Sequence, residues 1–170
     1  PQQMREALAP LGAHAARALV ISVAAGIRAA DLSRWLGGHQ RVVRTMPNTP
    51  ALIGAGITGL WAGAGVSAAD REQAQRIVNA VGESLWVAQE SMLDAVTAVS
   101  GSGPAYVFFF MEAVHAAALK LGFDDAGARQ LTLATFRGAA ALASASTEPP
   151  SVLRERVTSK GGTTAAALNV

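Results

Sequence analysis

The chain has no cysteine. Disulfides, thiolate nucleophiles and cysteine-ligated zinc are therefore excluded, and the composition fits a reducing, cytoplasmic setting. Aromatic residues are scarce, at 5%. Alanine carries much of the hydrophobic content instead, which favours closely packed helices over an aromatic-rich sandwich. There is no block of like charge either. Lys and Arg number 14 against 12 Asp and Glu, dispersed along the chain for a net charge of +2, which leaves no footprint for nucleic acid. His14, His39 and His115 are far apart and form no HExxH-type pair. Each reads as solvated or structural, and no metal site is expected. No apolar run is long enough for a bilayer: the longest, from Ala105, soon meets Glu112 and then His115, so no membrane partner is expected.

What is present is a chain of 170 residues, 51% hydrophobic, enough for one good core or two small ones. Its first half alternates between two periodicities. "QQMREALAPLGAHAARA" reads as helix and "LVISV" (19–23) as a short β-branched strand. "DLSRWLGG" reads as a short helix with Asp31 near its N-cap and glycines at its end. "RVVRTM" (41–46) is a strand closed by Pro47, "GAGITGLWAG" a glycine-rich strand region, and "SLWVA" (84–88) another strand. Between them "SAADREQAQRIVNAVG" is a helix capped by Ser67, with Asp70 and Glu72 in its early turns and Gly82 at its end. Strands alternating with helices predict a mostly parallel α/β sheet.

The pattern changes after Glu90. "SMLDAVTAV", "PAYVFFFMEAVHAAALKLG" and "DDAGARQLTLATFRGAAALASA" are helical with no strand between them, then "STEPPS" links to "VLRERV" and "TTAAALNV". Residues 1–90 thus read as an α/β portion and 91–170 as an all-α portion. Phe108–Phe110 cover most of a helix circumference, so that segment reads as core or subunit interface, not as a ligand cage. The chain opens inside one helical pattern and stops inside another, and reads as part of a longer protein.

Four stretches carry chemistry. In "TSKGGTTAAAL", Gly161 and Gly162 precede a helix starting near Thr163. The unpaired N–H groups and positive end of that helix, with the hydroxyls of Ser159, Thr163 and Thr164, form a seat for a small anion such as a carboxylate. An ordinary capped helix after a glycine turn is the alternative. "VSGSGPAY" is similar: Ser102 is a candidate N-cap and Pro104 suits a first turn, although a tight structural turn explains it equally. "RTMPNTPALIGAG" follows a strand, and loops at the carboxyl ends of parallel strands are where α/β proteins bind ligands; it offers Met46, Pro47, Asn48 and Thr49. "SVAAGI" also follows a strand, and its small Ala24, Ala25 and Gly26 would let a flat ring lie against the backbone.

In this order and spacing, "VISVAAGI", "RTMPNTPALIGAG", "DAVTAVSGSGPAYVFFFMEAV" and "VTSKGGTTAAAL" resemble the motifs of the pyrroline-5-carboxylate reductases, over essentially the whole chain. The resemblance implies a Rossmann-type domain, here without its N-terminal part, followed by an all-helical dimerisation and substrate-binding domain. It implies NADPH- or NADH-dependent reduction of 1-pyrroline-5-carboxylate to L-proline, the final step of proline biosynthesis, by a homodimer or higher homo-oligomer. By the same resemblance, the Ala24–Gly26 and Met46–Thr49 loops border the nicotinamide. The turn at Ser159, Gly161, Gly162 and Thr163 binds the substrate carboxylate, and Thr164 is the catalytic hydroxyl near the ring nitrogen. Two departures stand out. Lys160 replaces the usual Pro of the turn, and no GxGxxG on an opening strand is present to cradle a pyrophosphate. The alternatives are an isolated helical dimerisation module without activity, or a related β-hydroxyacid dehydrogenase. The second lacks support, because no lysine precedes Lys120 in the helix after the first glycine motif.

Overall fold

The computed structural model describes residues 3–15 and 17–168. They form two compact units, Pro1–Val107 and Phe108–Val170. The helix read at 2–18 is broken into α1 (Met4–Leu8), a 3₁₀ turn (Ala9–Leu11) and α2 (Gly12–Ala15). Pro10, which has no N–H to donate, sits at the tightened turn. Pro1, Gln2, Ala16, Asn169 and Val170, all read as helix from the sequence, lie outside the described residues.

In the first unit, β1 (Val20–Ser22), β2 (Val42–Met46), β3 (Gly56–Ala62) and β4 (Gly82–Trp86) form one sheet in the order β1-β2-β3-β4. β1–β2 and β3–β4 pair in parallel, but β2–β3 is antiparallel. Two of the three pairings are thus parallel, as the sequence leads one to expect, and β2–β3 is the exception. The link from β2 to β3 holds only a 3₁₀ turn, Thr49–Ile53, and a parallel return would need a crossover of a dozen residues or more. β4 starts two residues earlier than its sequence signal, at Gly82, whose φ of 146° suits glycine.

Alternation along β2 sends its side chains to two cores. Val42 joins Ile27, Ala29 and Leu32, with Met4, Leu8 and Trp35 at the margin. Val43 joins Leu60, Ala74 and Val78. The first core is covered by α1 and α3 (Ala29–Trp35), the second by α4 (Ala68–Asn79). α4 opens on a full capping box. The Ser67 hydroxyl accepts from Asp70 N–H, and Asp70 accepts from Ser67 N–H. Arg41 donates to both Asp70 oxygens, at 3.2 and 2.6 Å, and to the Arg17 carbonyl. That hydrogen bond first, and the Ser67 hydroxyl next, hold the Asp70 carboxyl well below the usual carboxylate range. Further along α4, Trp86 Nε1 donates to Gln75, and Arg71 in the first turn lies 4.1 Å from the Trp86 ring centroid.

The cap of α3 also differs from expectation. Arg28, not Asp31, occupies the N-cap position, with no side-chain capping bond of its own. Asp31 lies inside the first turn and pairs with Arg34 at 2.6 Å. The N–H of Ala29 is instead met by Glu90 Oε1, at 2.6 Å.

The segment "TAVSGSGPAY" opens a helix with Pro104 in its first turn, as expected, but without a serine cap. α5 (Met92–Val96) runs into a π turn, Thr97–Gly101, and then into α6 (Gly103–Lys120). Ser102 keeps right-handed helical angles, and its N–H donates to the Thr97 carbonyl, five residues back. It is therefore not an N-cap. The hydroxyls of Thr97 and Ser100 donate to the carbonyls of Leu93 and Val96, taking up part of the widened turn. Gly101 lies close to Met46, so that a Cβ there would sit 2.7 Å from Met46 Cε and the methionine side chain would have to shift.

The second unit holds most of α6, then α7 (Asp125–Ala145), α8 (Pro150–Arg156) and α9 (Thr163–Leu168). Gly122, at φ 97°, turns the chain between α6 and α7. Asp124 caps α7 by accepting from Gly127 N–H at 2.8 Å. Phe108, Phe109 and Phe110 are not its core: they are exposed within the chain, Phe109 at 69%. The single chain therefore does not bury them as its own core. No helix among the described residues is long and apolar enough to cross a membrane.

Candidate active site

β1 and β2 are parallel neighbours, so the loops that leave them open on the same edge of the sheet. One is Ala24, Ala25 and Gly26; the other is Pro47, Asn48 and Thr49, after Met46 at the end of β2. Beyond the backbone ladder, the Thr45 hydroxyl ties the two strand ends by donating to the Ser22 carbonyl at 3.0 Å. Ser22 Oγ accepts from Ala24 N–H at 3.3 Å, and Ala24 packs on the first core. Gly26 has φ 76°, and a Cβ there would meet nothing within 4 Å. The backbone at this point is thus open to a flat ligand. In the other loop, Asn48 Oδ1 accepts from Ile57 N–H at 2.9 Å. This fixes the loop against β3 and leaves the Asn48 amide N–H₂ for other partners.

The sequence places the two loops well, but it missed what anchors them. Glu90 Oε1 accepts from Ala29 N–H and, at 2.9 Å, from Arg44. Arg44 is 4% exposed, and its Nε has no hydrogen-bond partner among the described residues. Arg28 and Asp94 add an exposed pair at 3.5 Å. The signal available in sequence was an arginine inside an apolar strand, which demands a carboxylate partner. Nothing local names the partner.

Gly54, Gly56 and Gly59 have the GxGxxG spacing, yet they do not make a phosphate loop. They run from the end of the 3₁₀ turn through β3, not from a strand into a helix. A Cβ at Gly56 would lie 2.9 Å from Ala51, and one at Gly59 2.8 Å from Val96 Cγ1. These glycines make room for protein.

The residues of the anion seat fall together in one turn of the second unit. Gly161 has φ 72°, Gly162 N–H donates to the Ser159 carbonyl at 3.0 Å, and the Gly162 carbonyl accepts from Ala166 N–H at 3.1 Å. The amides of Thr163 and Thr164 thus lie ahead of the first helical bond of α9. Ser159, Lys160, Thr163 and Thr164 are exposed. A Cβ on Gly162 would collide with Ser159 Oγ. The turn follows α8, whose Arg156 closes a two-point ion pair with Glu148, one bond at 2.7 Å. Lys160 needs no unusual backbone here, so the turn keeps its left-handed glycine without the usual proline. Among the described residues no group of three or more His, Cys, Asp or Glu could hold a metal ion. His115 pairs with Asp125 at 3.2 Å instead.

An α/β sheet with open strand-end loops, followed by helices, is a partial Rossmann-type portion joined to a helical one. Residues 90–170 match the family model for pyrroline-5-carboxylate reductase dimerisation. A pyrroline-5-carboxylate reductase of Pseudomonas aeruginosa is 52% identical over 99% of this chain, which covers 62% of that relative. The structure of a Coxiella burnetii pyrroline-5-carboxylate reductase superposes with a TM-score of 0.91 at 40% identity, over 99% of this chain and 63% of that one. A Plasmodium falciparum pyrroline carboxylate reductase with NADP bound also has a TM-score of 0.91, at 30% identity, over 99% of this chain and 68% of that one. The chain belongs to the pyrroline-5-carboxylate reductase family, and it spans 62% of the length of the Pseudomonas relative.

Proposed function

We propose that the full-length protein reduces 1-pyrroline-5-carboxylate to L-proline with NADPH or NADH, as a cytoplasmic homodimer or higher homo-oligomer. Residues 1–90 are the C-terminal portion of its cofactor domain and residues 91–170 its dimerisation and substrate-binding domain. The observation that carries this reading is the pair of loops opening on one sheet edge, with a bare backbone at Gly26. A nicotinamide ring fits such a surface, and strand-end crevices are where this architecture binds dinucleotides. When bound, the nicotinamide supplies the hydride. Ala24, Ala25 and Gly26 let the ring approach, while Met46, Pro47, Asn48 and Thr49 border it.

The chain's own part in the chemistry is positioning. The Thr163 and Thr164 amides and the Ser159 hydroxyl bind the substrate carboxylate. The Thr164 hydroxyl hydrogen-bonds the ring nitrogen as it changes from imine to amine. A protonated imine is already electrophilic, so no histidine or carboxylate pair is required of this site.

The test is steady-state kinetics on the full-length enzyme. Thr164→Ala is expected to lower kcat by roughly 10- to 100-fold, the loss of one hydrogen bond that strengthens in the transition state. Thr164→Ser is expected to restore much of it. Gly162→Val is expected to act largely on KM for the imine, because the new side chain meets Ser159. A Thr164→Ala enzyme with wild-type kcat would reduce Thr164 to a residue of the helix start. A cofactor-binding assay on this 170-residue chain against the full-length protein separates the enzyme from an inert helical module; weak binding is expected of the chain alone, since it carries no pyrophosphate loop.

A further inference from the structure

We infer that Glu90 is a positioning residue that sets both cofactor loops from one carboxylate. The inference rests on the reading of those loops given above and adds to it a residue that touches neither cofactor nor substrate.

The geometry is specific. One oxygen, Glu90 Oε1, receives two donors from segments distant in sequence: Ala29 N–H at 2.6 Å and Arg44 at 2.9 Å. Ala29 is three residues past Gly26, at the exit of the first loop. Arg44 is two residues before Met46, at the entry of the second. Glu90 itself stands just ahead of α5, whose continuation through the π turn brings Gly101 against the methyl of Met46. Three chain segments that lead to the cofactor loops are thus tied at one atom.

Neither bond has a local substitute. α3 has no capping side chain of its own, so the Ala29 donor loses its partner without Glu90. A carboxylate also suits the positive end of a helix. Arg44 is buried, and no other acceptor meets it among the described residues. Its guanidinium cannot discard its charge, so without Glu90 it would be driven to move, and β2 with it. A merely structural ion pair would also be buried. It would not need to join the exit of one ligand loop to the entry of the other.

Glu90→Gln in the full-length enzyme tests this. The amide keeps an acceptor oxygen for Ala29 but no charge for Arg44. Three readouts are taken on the folded variant: NADPH affinity by fluorescence titration, KM for each substrate, and hydrogen exchange at 23–29 and 45–49 without cofactor. The expected result is an NADPH affinity weakened about 10-fold, a matching rise in KM for NADPH, a KM for the imine within about 2-fold, and faster exchange confined to the two loops. Should the variant fail to fold, Arg44→Met/Glu90→Leu takes its place. It removes both buried charges, a change that stability commonly tolerates, and the same cofactor-specific loss is expected. A folded variant of either kind that binds NADPH as the wild type does overturns the inference, whatever its melting temperature. Failure of the wild-type enzyme itself to bind NADPH would instead overturn the proposed function.

Discussion

Leu60 and Phe109 are both large apolar side chains in regular elements, yet Leu60 in β3 is fully buried and Phe109 on α6 is 69% exposed. The contrast runs through their units. The first unit encloses Leu32, Val42, Val43, Leu60 and Leu93, whereas among the described residues the second encloses only Ala118, Ala128 and Thr132. A sheet covered on both faces completes its core within one chain. An αα pair with aromatic residues on its outer face does not, and it needs further apolar surface to cover them. Similar hydrophobic content therefore gives an enclosed core in one place and an exposed aromatic face in the other.

The strongest way to break this comparison is Phe109→Asp. If α6 forms a symmetric interface, both copies bury the new charge. Association is expected to weaken by at least about 4 kcal/mol per dimer, seen as monomer or aggregate in sedimentation. A stable, unchanged dimer would place the interface elsewhere. Leu60→Ala acts on the finished core and should cost about 3 kcal/mol in urea unfolding, whatever the protein concentration. Ser67→Ala removes the α4 cap and is expected to cost about 1 kcal/mol.

The smallest effect concerns pH. Asp70 is depressed below its unfolded value, chiefly by the hydrogen bond from Arg41. Its contribution is complete above the ordinary aspartate range and is lost as pH falls from there toward the native value. Arg41→Gln should therefore be less stable than wild type at about pH 7, with the gap narrowing by about pH 3. A gap independent of pH would remove this ion pair from the account.

Features set by local chemistry were legible in the sequence. Ser67 and Asp70 announce the α4 cap, and Gly37 and Gly38, both at positive φ, announce the end of α3. Strand-end loops and the Ser159–Thr164 turn were legible as motifs, because their small residues and prolines recur in a fixed order. Long-range choices were not. Ala29 and Glu90 are 61 residues apart, so a sequence reader assigns the α3 cap to nearby Asp31. The reversal between β2 and β3 was legible only in length, since the link at 47–55 is too short for a parallel crossover; strands alternating with helices on either side of it suggest the opposite. The π turn was hidden because glycine beside proline ordinarily signals a helix start.

That turn has a further consequence. An α-helix advances about 100° per residue, and a five-residue closure admits one residue more than the regular winding. The residues that open α6, Pro104 to Val107, are thereby indexed one step further around the axis than an unbroken helix from Met92 would place them. Deleting one residue between Thr97 and Gly101 would leave composition and apolar content almost unchanged, while turning those residues by roughly a quarter of a circle.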